Sequence, residues 1–292
     1  MGRTVRYFEG RFGRLVLAEI AAQGRPRSHA EPLIALQHEG TASAYLIAGK
    51  RVWLDRDAIV FVNPGEIHLD LGARGGAAPR VLLLYASREW LRVGFPAVFG
   101  APQGRPFANA REPITPRIRR LADALAVEVL NDRFLSAERL EFMLQELMLL
   151  IVETYLAGER DSSPLWKGSR FADGRIRHAL ALLRARPHKD MSMERLADHV
   201  GLSRSRFFDL FHACTGLSPR AYLDLLCVQA AIWRLASGRS RISDVSSELG
   251  FSAQSNFTRF FLHQVGIPPS EYRRAAGGEP GAGAPPARSP GG

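Results

Sequence analysis

The side chains best suited to binding chemistry in this chain are its arginines. Among the 39 basic residues, all but Lys50, Lys167 and Lys189 are arginine, whose guanidinium group can bind a phosphate or a guanine edge. The formal net charge is +10, and residues 170–276 carry 16 basic and 9 acidic side chains. This basic segment suits a polyanion such as nucleic acid, although solvated protein surfaces are also often basic.

The two cysteines indicate no redox or metal chemistry. Cys214 and Cys227 lie in predicted helices, without CxxC spacing and without a third ligand nearby, so we interpret them as buried apolar residues and expect no cofactor. The longest uninterrupted apolar run after the N-terminal region, residues 147–152, is far shorter than the roughly 20 residues that cross a bilayer. We therefore expect a cytoplasmic protein without a membrane partner.

A repeat organises the basic C-terminal segment. Residues 196–203 (LADHVGLS) recur as residues 245–252 (VSSELGFS), at an offset of 49. The match continues at an offset of 50, with one residue inserted between the serine and the aromatic residue. The matched pairs are Phe207 and Phe257, Phe211 and Phe261, Gly216 and Gly266, Pro219 and Pro269, and Tyr222 and Tyr272.

Each copy of the repeat has the pattern of a helix-turn-helix unit. Gly201 and Gly250 supply the positive φ that a tight turn between two helices needs, and the serine two residues later is expected to cap the next helix. A helix over about residues 219–236 joins the copies and spans roughly 26 Å at ~1.5 Å per residue. That spacer could hold two helices near the ~34 Å between successive major-groove faces of B-DNA.

On these residues, the segment 175–274 resembles the DNA-binding domain of the AraC/XylS family of transcriptional regulators. The matching segments are residues 196–203, 216–222, 242–251 and 266–273. The resemblance implies a sequence-specific regulator rather than an enzyme, with double-stranded DNA as a partner. RNA polymerase would be a further partner if the protein is an activator.

The resemblance also implies which side chains enter the major groove. They are Arg204, Ser205, Arg206, Phe208 and Asp209 in the first unit, and Gln254, Ser255, Asn256 and Arg259 in the second. Glutamine and asparagine can each make two hydrogen bonds to adenine, and arginine can make two to guanine. The second unit is therefore well equipped for reading bases.

The first unit departs from the family pattern. A basic residue is usual where Asp209 stands, a polar one where Phe208 stands, and an arginine where Cys227 stands. Two interpretations stay open: Phe208 contacts thymine methyl groups and Asp209 a cytosine amino group, or Phe208 belongs to the core and Asp209 pairs with Arg204 or Arg206.

The chain up to about residue 107 consists of short apolar runs separated by Gly, Pro, Asn and Asp, which predicts an all-β sandwich or barrel. Gly49 and Lys50 are expected to form a hairpin turn. The family resemblance implies a cupin-like β-barrel, and residues 63–68 (NPGEIH) resemble a cupin's second motif. The residues expected to line its interior, either to bind a small-molecule effector or simply to fill the core, are Tyr45, Trp53, Phe61 and His68.

The alternative function is a cupin-type metal-dependent enzyme with an appended DNA-binding domain. A cupin metal site needs paired histidines and a carboxylate, whereas His29 and His38 each stand alone in this sequence. Three ligands on adjacent strands are the minimum for such chemistry, so we expect no metal.

Apolar residues recur at helical spacing over residues 118–129 and 140–151, which predicts two amphipathic helices. The second is so rich in Leu and Met that it either packs against its copy in a homodimer or closes the core of its own chain.

The expected fold class is α+β and multidomain, with an N-terminal cupin-like β-barrel, a helical dimerisation segment and a C-terminal all-α domain of two helix-turn-helix units joined by a long helix. The predicted bounds are 1–112 for the effector domain, 113–157 for the helical segment, 158–173 for a linker, 174–276 for the DNA-binding domain and 277–292 for a disordered tail.

Overall fold

The computed structural model describes residues 3–73, 75–100, 105–131, 135–156, 166, 168–238 and 240–276. The predicted tail, residues 277–292, and residues 158–165 and 167 of the predicted linker lie outside the described residues.

The N-terminal part is rich in antiparallel strands, which form two sheets. The larger sheet has the order β1-β2-β8-β3-β6-β9, and the smaller one has the order β5-β4-β7. The strands are β1 (Arg3–Gly10), β2 (Gly13–Glu19), β3 (Leu33–Glu39), β4 (Ser43–Ile47), β5 (Lys50–Leu54), β6 (Ala58–Val62), β7 (His68–Ala73), β8 (Arg80–Ala86) and β9 (Arg111–Pro113).

The larger sheet is the middle layer of this part, because both of its faces are covered. Val60 and Val62 of β6 pack in the core between the two sheets, whereas Ile59 and Phe61 of the same strand pack on the side of the helices. This alternation follows from the two-residue period of a strand. It also explains why β6 is apolar along its whole length.

The predicted closed barrel is not confirmed. Among the described strands, β5, β4 and β7 form ladders only with one another, and the pairing of Arg27 with His68 is an isolated bridge. The predicted hairpin turn is shifted by one residue, since Ile47 pairs with Lys50 and the two positive-φ turn residues are Ala48 and Gly49.

Four helices follow the last long strand: α1 (Arg88–Gly94), α2 (Pro96–Phe99), α3 (Pro116–Leu130) and α4 (Ala137–Ile151), the last continuing as a π-helical turn (Val152–Leu156). Every apolar side chain of α4 from Leu140 to Ile151 is buried. The helix lies in one core that also contains residues of the larger sheet and of the C-terminal helices. The chain itself therefore covers this helix, as the second of the two interpretations expects, and a dimer through residues 140–151 stays a prediction.

The C-terminal part is all helical, with α5 (Gly174–Ala185), α6 (Met193–His199), α7 (Arg204–Thr215), α8 (Pro219–Ala236), α9 (Ile242–Glu248), α10 (Gln254–Val265) and α11 (Pro269–Ala275). Helices α6 and α7 form the first unit, and α9 and α10 form the second. The joining helix α8 has the bounds that the sequence predicts. Its N-cap Ser218 accepts a hydrogen bond from the Ala221 amide over 3.2 Å.

The two units begin their second helix differently. Ser203 caps α7 as predicted, accepting from the Arg206 amide. In the second unit the inserted residue moves the N-cap to Ala253, which offers no side-chain bond. Ser252 instead accepts from Asn256 Nδ2 over 3.0 Å. The predicted serine cap is therefore right for the first unit and wrong for the second.

We predict that the turn glycines differ in their tolerance of alanine. Gly201 and Gly250 have φ of 69° and 78°, so each Ala substitution adds left-handed strain of about 1–2 kcal/mol. A Cβ on Gly250 would also lie 2.3 Å from His188 Cε1, whereas Gly201 has open space. In urea titrations Gly250→Ala should lower the free energy of unfolding more than Gly201→Ala, and equal losses would contradict the account.

Candidate functional site

The second helix of each unit presents the same faces to the protein and to solvent. Phe207 and Phe211 of α7 are fully buried, as are Phe257 and Phe261 of α10. The side chains that the resemblance assigned to the DNA lie on the opposite faces. Arg204, Ser205, Arg206 and Asp209 are exposed on α7, Gln254, Ser255 and Arg259 are exposed on α10, and Phe208 and Asn256 are half-buried.

In the first unit, the neighbours of Phe208 support the core interpretation in part. Phe208 packs against the core and carries the Arg204 guanidinium over its ring, 5.3 Å from the centroid. Arg204 Nε also donates to Glu194 over 2.9 Å. Asp209 forms an ion pair with neither Arg204 nor Arg206, the two partners that this interpretation allows, and Arg204 instead pairs with Glu194 of the preceding helix.

In the second unit, three polar side chains are joined in a chain of hydrogen bonds. Arg259 Nη2 donates to Asn256 Oδ1 over 2.6 Å, and Asn256 Nδ2 donates to Ser252 Oγ. The arginine and the asparagine, one turn apart, therefore hold each other in place on the exposed side of α10. Such ordering reduces the entropy lost when these groups bind a ligand.

A buried ion-pair network connects α5 and the joining helix α8 to α4. Arg184 of α5 makes two hydrogen bonds to Glu146, of 2.6 and 3.1 Å, and both side chains are at most 3% exposed. Tyr222 of α8 donates to the same carboxylate and accepts from Arg184 over 3.0 Å. Glu153 is a second partner of Arg184, at 3.2 Å. We call these four residues the first buried network.

A second buried network connects the second unit to the pair α3 and α4. Arg139 donates to Glu128 over 2.6 and 2.9 Å, and Tyr272 of α11 donates to the other carboxylate oxygen over 3.1 Å. Arg139 also donates to the carbonyl of Gln264 near the end of α10, where a positive charge is favourable to the helix dipole. Burial raises the pKa of Glu128, and the charge of Arg139 opposes that effect.

The two networks are built on equivalent positions of the repeat. Tyr222 and Tyr272 occupy the same place, three residues after the helix-starting prolines Pro219 and Pro269. Each hydroxyl binds a glutamate that is 1% exposed, on α4 or α3. Sequence reasoning treated these tyrosines as spacing markers and missed their partners. The available signal was a glutamate flanked by apolar residues in each helix, Glu128 in α3 and Glu146 in α4.

Of the four predicted effector residues, the structure brings Tyr45 and His68 together and places the other two elsewhere. Tyr45 lies in the core between the sheets, and His68 is fully buried in β7, beside it. Phe61 is on the opposite face of the larger sheet, stacked on Phe107 with 4.2 Å between ring centroids. Trp53 alternates with the inward-facing Val52 and Leu54 of β5 and is half-buried.

Polar groups surround Tyr45 and His68 and form an inter-sheet polar cluster, composed of Arg27, His29, Tyr45, His68, Asp70 and Tyr85. Arg27 donates to Asp70 over 2.5 Å and to His68 Nε2 over 3.2 Å. The rings of His29 and His68 are 4.9 Å apart. Burial lowers the pKa of both histidines, which favours neutral imidazoles.

Three buried atoms of this cluster make no hydrogen bond of normal length and angle in the part of the chain that the structure describes. They are His29 Nε2, Tyr45 Oη and Asp70 Oδ1. Tyr45 lies next to Asp70, and burial, followed by the charge of Asp70, raises the pKa of its hydroxyl. Unpartnered buried polar groups are costly, so the cluster is suited to accept a small polar molecule.

Neither a metal cluster nor a membrane span is found in the described ranges. No three His, Cys, Asp or Glu side chains there are placed to hold a metal ion. None of the helices described is long and apolar enough to cross a bilayer. The alternative of a metal-dependent enzyme gains no support from His68 and its neighbours.

Comparison with known proteins bears on the C-terminal part. A helix-turn-helix domain family matches residues 196–275. A putative AraC-like transcription regulator of Streptomyces lividans is 28% identical over 103 residues, 35% of this chain and 34% of that protein. The C-terminal part of this chain is an AraC/XylS-type domain.

Two further relatives are similar to part of this chain. The transcriptional regulator AlkR of Acinetobacter baylyi is 31% identical over 99 residues, 34% of this chain and 32% of AlkR. The MmsAB operon regulatory protein of Pseudomonas aeruginosa is 32% identical over 149 residues, 51% of this chain and 43% of that protein. The matched segments thus span less than half the length of these curated relatives.

We predict that the two tyrosines of the AraC/XylS-type domain contribute unequally to stability. Tyr222→Phe leaves Glu146 Oε1 bonded to Arg184 and should cost about 1 kcal/mol, whereas Tyr272→Phe leaves Glu128 Oε1 without a described donor and should cost about 1.5–3 kcal/mol. Chemical denaturation measures both. The control Tyr7→Phe, at an exposed tyrosine, should change nothing. Equal stability of all three variants would show that the networks are not stabilising.

Proposed function

We propose that this chain is a sequence-specific DNA-binding transcriptional regulator, and that α7 and α10 are the helices that enter the major groove of double-stranded DNA. The observation that carries the proposal is the duplicated unit. Each copy buries the same two phenylalanines and exposes the opposite face of the same helix. AlkR and the MmsAB operon regulatory protein, to which this chain is similar, are both named as regulators, in agreement with this proposal.

The exposed side chains divide into two roles by their chemistry. Asn256, Arg259 and Gln254 carry the donors and acceptors that read adenine and guanine in the major groove. Arg206 has no described ion-pair partner, so it is free to contact phosphate and hold the helix in register. Base reading is therefore assigned mainly to the second unit.

The first unit contributes a different surface. Phe208 is half-buried under Arg204, so only part of its ring is available to a thymine methyl group. Asp209 is exposed and would be repelled by phosphates unless it accepts from a cytosine amino group. We therefore propose that the first unit recognises mainly the shape of the DNA, and that Asp209 tolerates a cytosine at the position it faces.

We further propose that the N-terminal part binds a small polar effector in the inter-sheet polar cluster. His29 Nε2, Tyr45 Oη and Asp70 Oδ1 are the unpartnered atoms that such a molecule would satisfy. The two buried networks supply a physical route to the DNA-binding helices, because Arg139 of α4 contacts the end of α10 directly. An effector that shifts the helix pair relative to the sheets would change the placement of α10.

We predict that Arg259→Ala weakens specific DNA binding by about 1–3 kcal/mol and relaxes the base preference at one position. The operator is first obtained by selection of the full-length protein on a random duplex library. Affinities are then measured by fluorescence anisotropy at two salt concentrations. Arg51→Ala, at an exposed arginine of β5, is the matched control and should leave affinity unchanged.

The salt dependence separates base reading from phosphate binding. Arg206→Ala should weaken binding similarly on all sequences and reduce the salt slope by about one. Sequence-independent binding by the unmodified protein, or an Arg259→Ala variant with unaltered preference and affinity, would contradict the assignment.

A further inference from the structure

A groove between the helix pair and the C-terminal domain contains a cavity of about 310 Å³. Residues of α3 and α4 form one side, and residues of α5 and α8 form the other. Its charged lining is mostly cationic, with four arginines and one glutamate: Arg117, Arg120, Arg184, Arg234 and Glu146. Leu121, Leu150, Leu226 and Trp233 supply apolar walls.

The arginines exceed the nearby carboxylates by one charge. Arg184 is paired with Glu146 and Glu153, and Arg234 with Glu248. Arg117 lies close enough to Glu153 to oppose the rise that burial causes in the pKa of Glu153. Arg120 is exposed and forms no ion pair with any residue that the structure describes. One positive charge is therefore left without a partner.

An amide in the wall also lacks a partner. Gln229 lines the groove and is 9% exposed, and its Nε2 donates no hydrogen bond within the described ranges. A buried amide donor without an acceptor costs about 1–3 kcal/mol. An acceptor brought into the groove would remove this cost.

We propose that this groove binds a small organic monoanion, a carboxylate on an apolar body. The guanidinium groups of Arg117 and Arg120 bind the carboxylate, the amide of Gln229 donates to it, and the leucines and Trp233 cover the apolar part. The volume is at the lower end of the range for small-molecule sites, which restricts the ligand to roughly three rings at most.

The position of the groove gives binding a regulatory consequence, which rests on the proposed function. Glu146 and Arg184 of the first buried network line the groove. A bound carboxylate competes with Glu146 for Arg184 of α5, and Glu146 is also the acceptor of Tyr222 of α8. Occupancy therefore alters the contact that holds α5 and α8, the helices on either side of the first unit, to α4 and changes the affinity for DNA.

The test uses 8-anilinonaphthalene-1-sulfonate, a fluorescent monoanion with an apolar body, titrated into the full-length protein. We expect one probe per chain, with energy transfer from a tryptophan that disappears in Trp233→Phe. Arg117→Gln/Arg120→Gln should weaken probe binding at least tenfold, and Arg120→Gln alone, at an exposed residue, severalfold. The control Arg51→Gln/Arg92→Gln, on the N-terminal part, should bind like the unmodified protein.

Displacement identifies the chemistry of the ligand. 4-Phenylbutyrate should displace the probe, whereas 4-phenylbutan-1-ol, which lacks the charge, should not. Equal displacement by the alcohol, or Arg117→Gln/Arg120→Gln and Arg120→Gln variants that bind the probe like the unmodified protein, would overturn the proposal.

DNA binding without ligand is measured on the same samples, so that failure of the proposed function can be distinguished from failure of the proposed ligand site. If the unmodified protein binds the probe as described and does not bind DNA specifically, the proposed function fails and the site stands. If DNA is bound specifically and the arginine variants leave probe binding unaltered, the site fails and the regulator stands. With both intact, 4-phenylbutyrate should shift the DNA dissociation constant in the unmodified protein only.

Discussion

The burial of two carboxylates, Glu128 and Glu146, is the constraint on which the arrangement of this molecule depends. Each is 1% exposed, and a buried charge that loses its partner typically costs 3–5 kcal/mol. Glu146 is paired with Arg184 and Tyr222, and Glu128 is paired with Arg139 and Tyr272. Both tyrosines belong to the C-terminal domain. The domain is therefore held to the helix pair at two points. Separation at the first would leave Glu146 and Arg184 without their ion pair, and separation at the second would break the hydrogen bonds of Tyr272 to Glu128 and of Arg139 to the Gln264 carbonyl.

Features that depend on residues close together in the sequence could be predicted, whereas features that depend on distant parts of the chain could not. The turn glycines, the bounds of α8 and the buried aromatic residues of α7 and α10 depend on neighbours within a few residues, and the repeat states them twice. The pairing of strands and the surroundings of α4 depend on distant parts of the chain. The short apolar runs indicated strands, but they could not tell a closed barrel from two sheets, nor show that Phe61 and Tyr45 lie on opposite faces.

The candidate site was predictable to the same extent. Exposed positions on the second helix of each unit follow from helical periodicity once the buried phenylalanines are known. The two networks did not follow from it, because Tyr222 is 76 residues from Glu146, and Tyr272 is 144 residues from Glu128. Sequence spacing likewise could not indicate that Glu194 takes Arg204 from Asp209, since that choice depends on how α6 meets α7.

The most direct test of the central claim, that both units read one duplex from a single chain, is hydroxyl-radical footprinting of the full-length protein on its selected operator. Our account predicts two protected segments on one face of the DNA, centred about one helical turn apart, at a stoichiometry of one chain per site. A single protected segment for each chain, or protection without a preferred sequence, would contradict it.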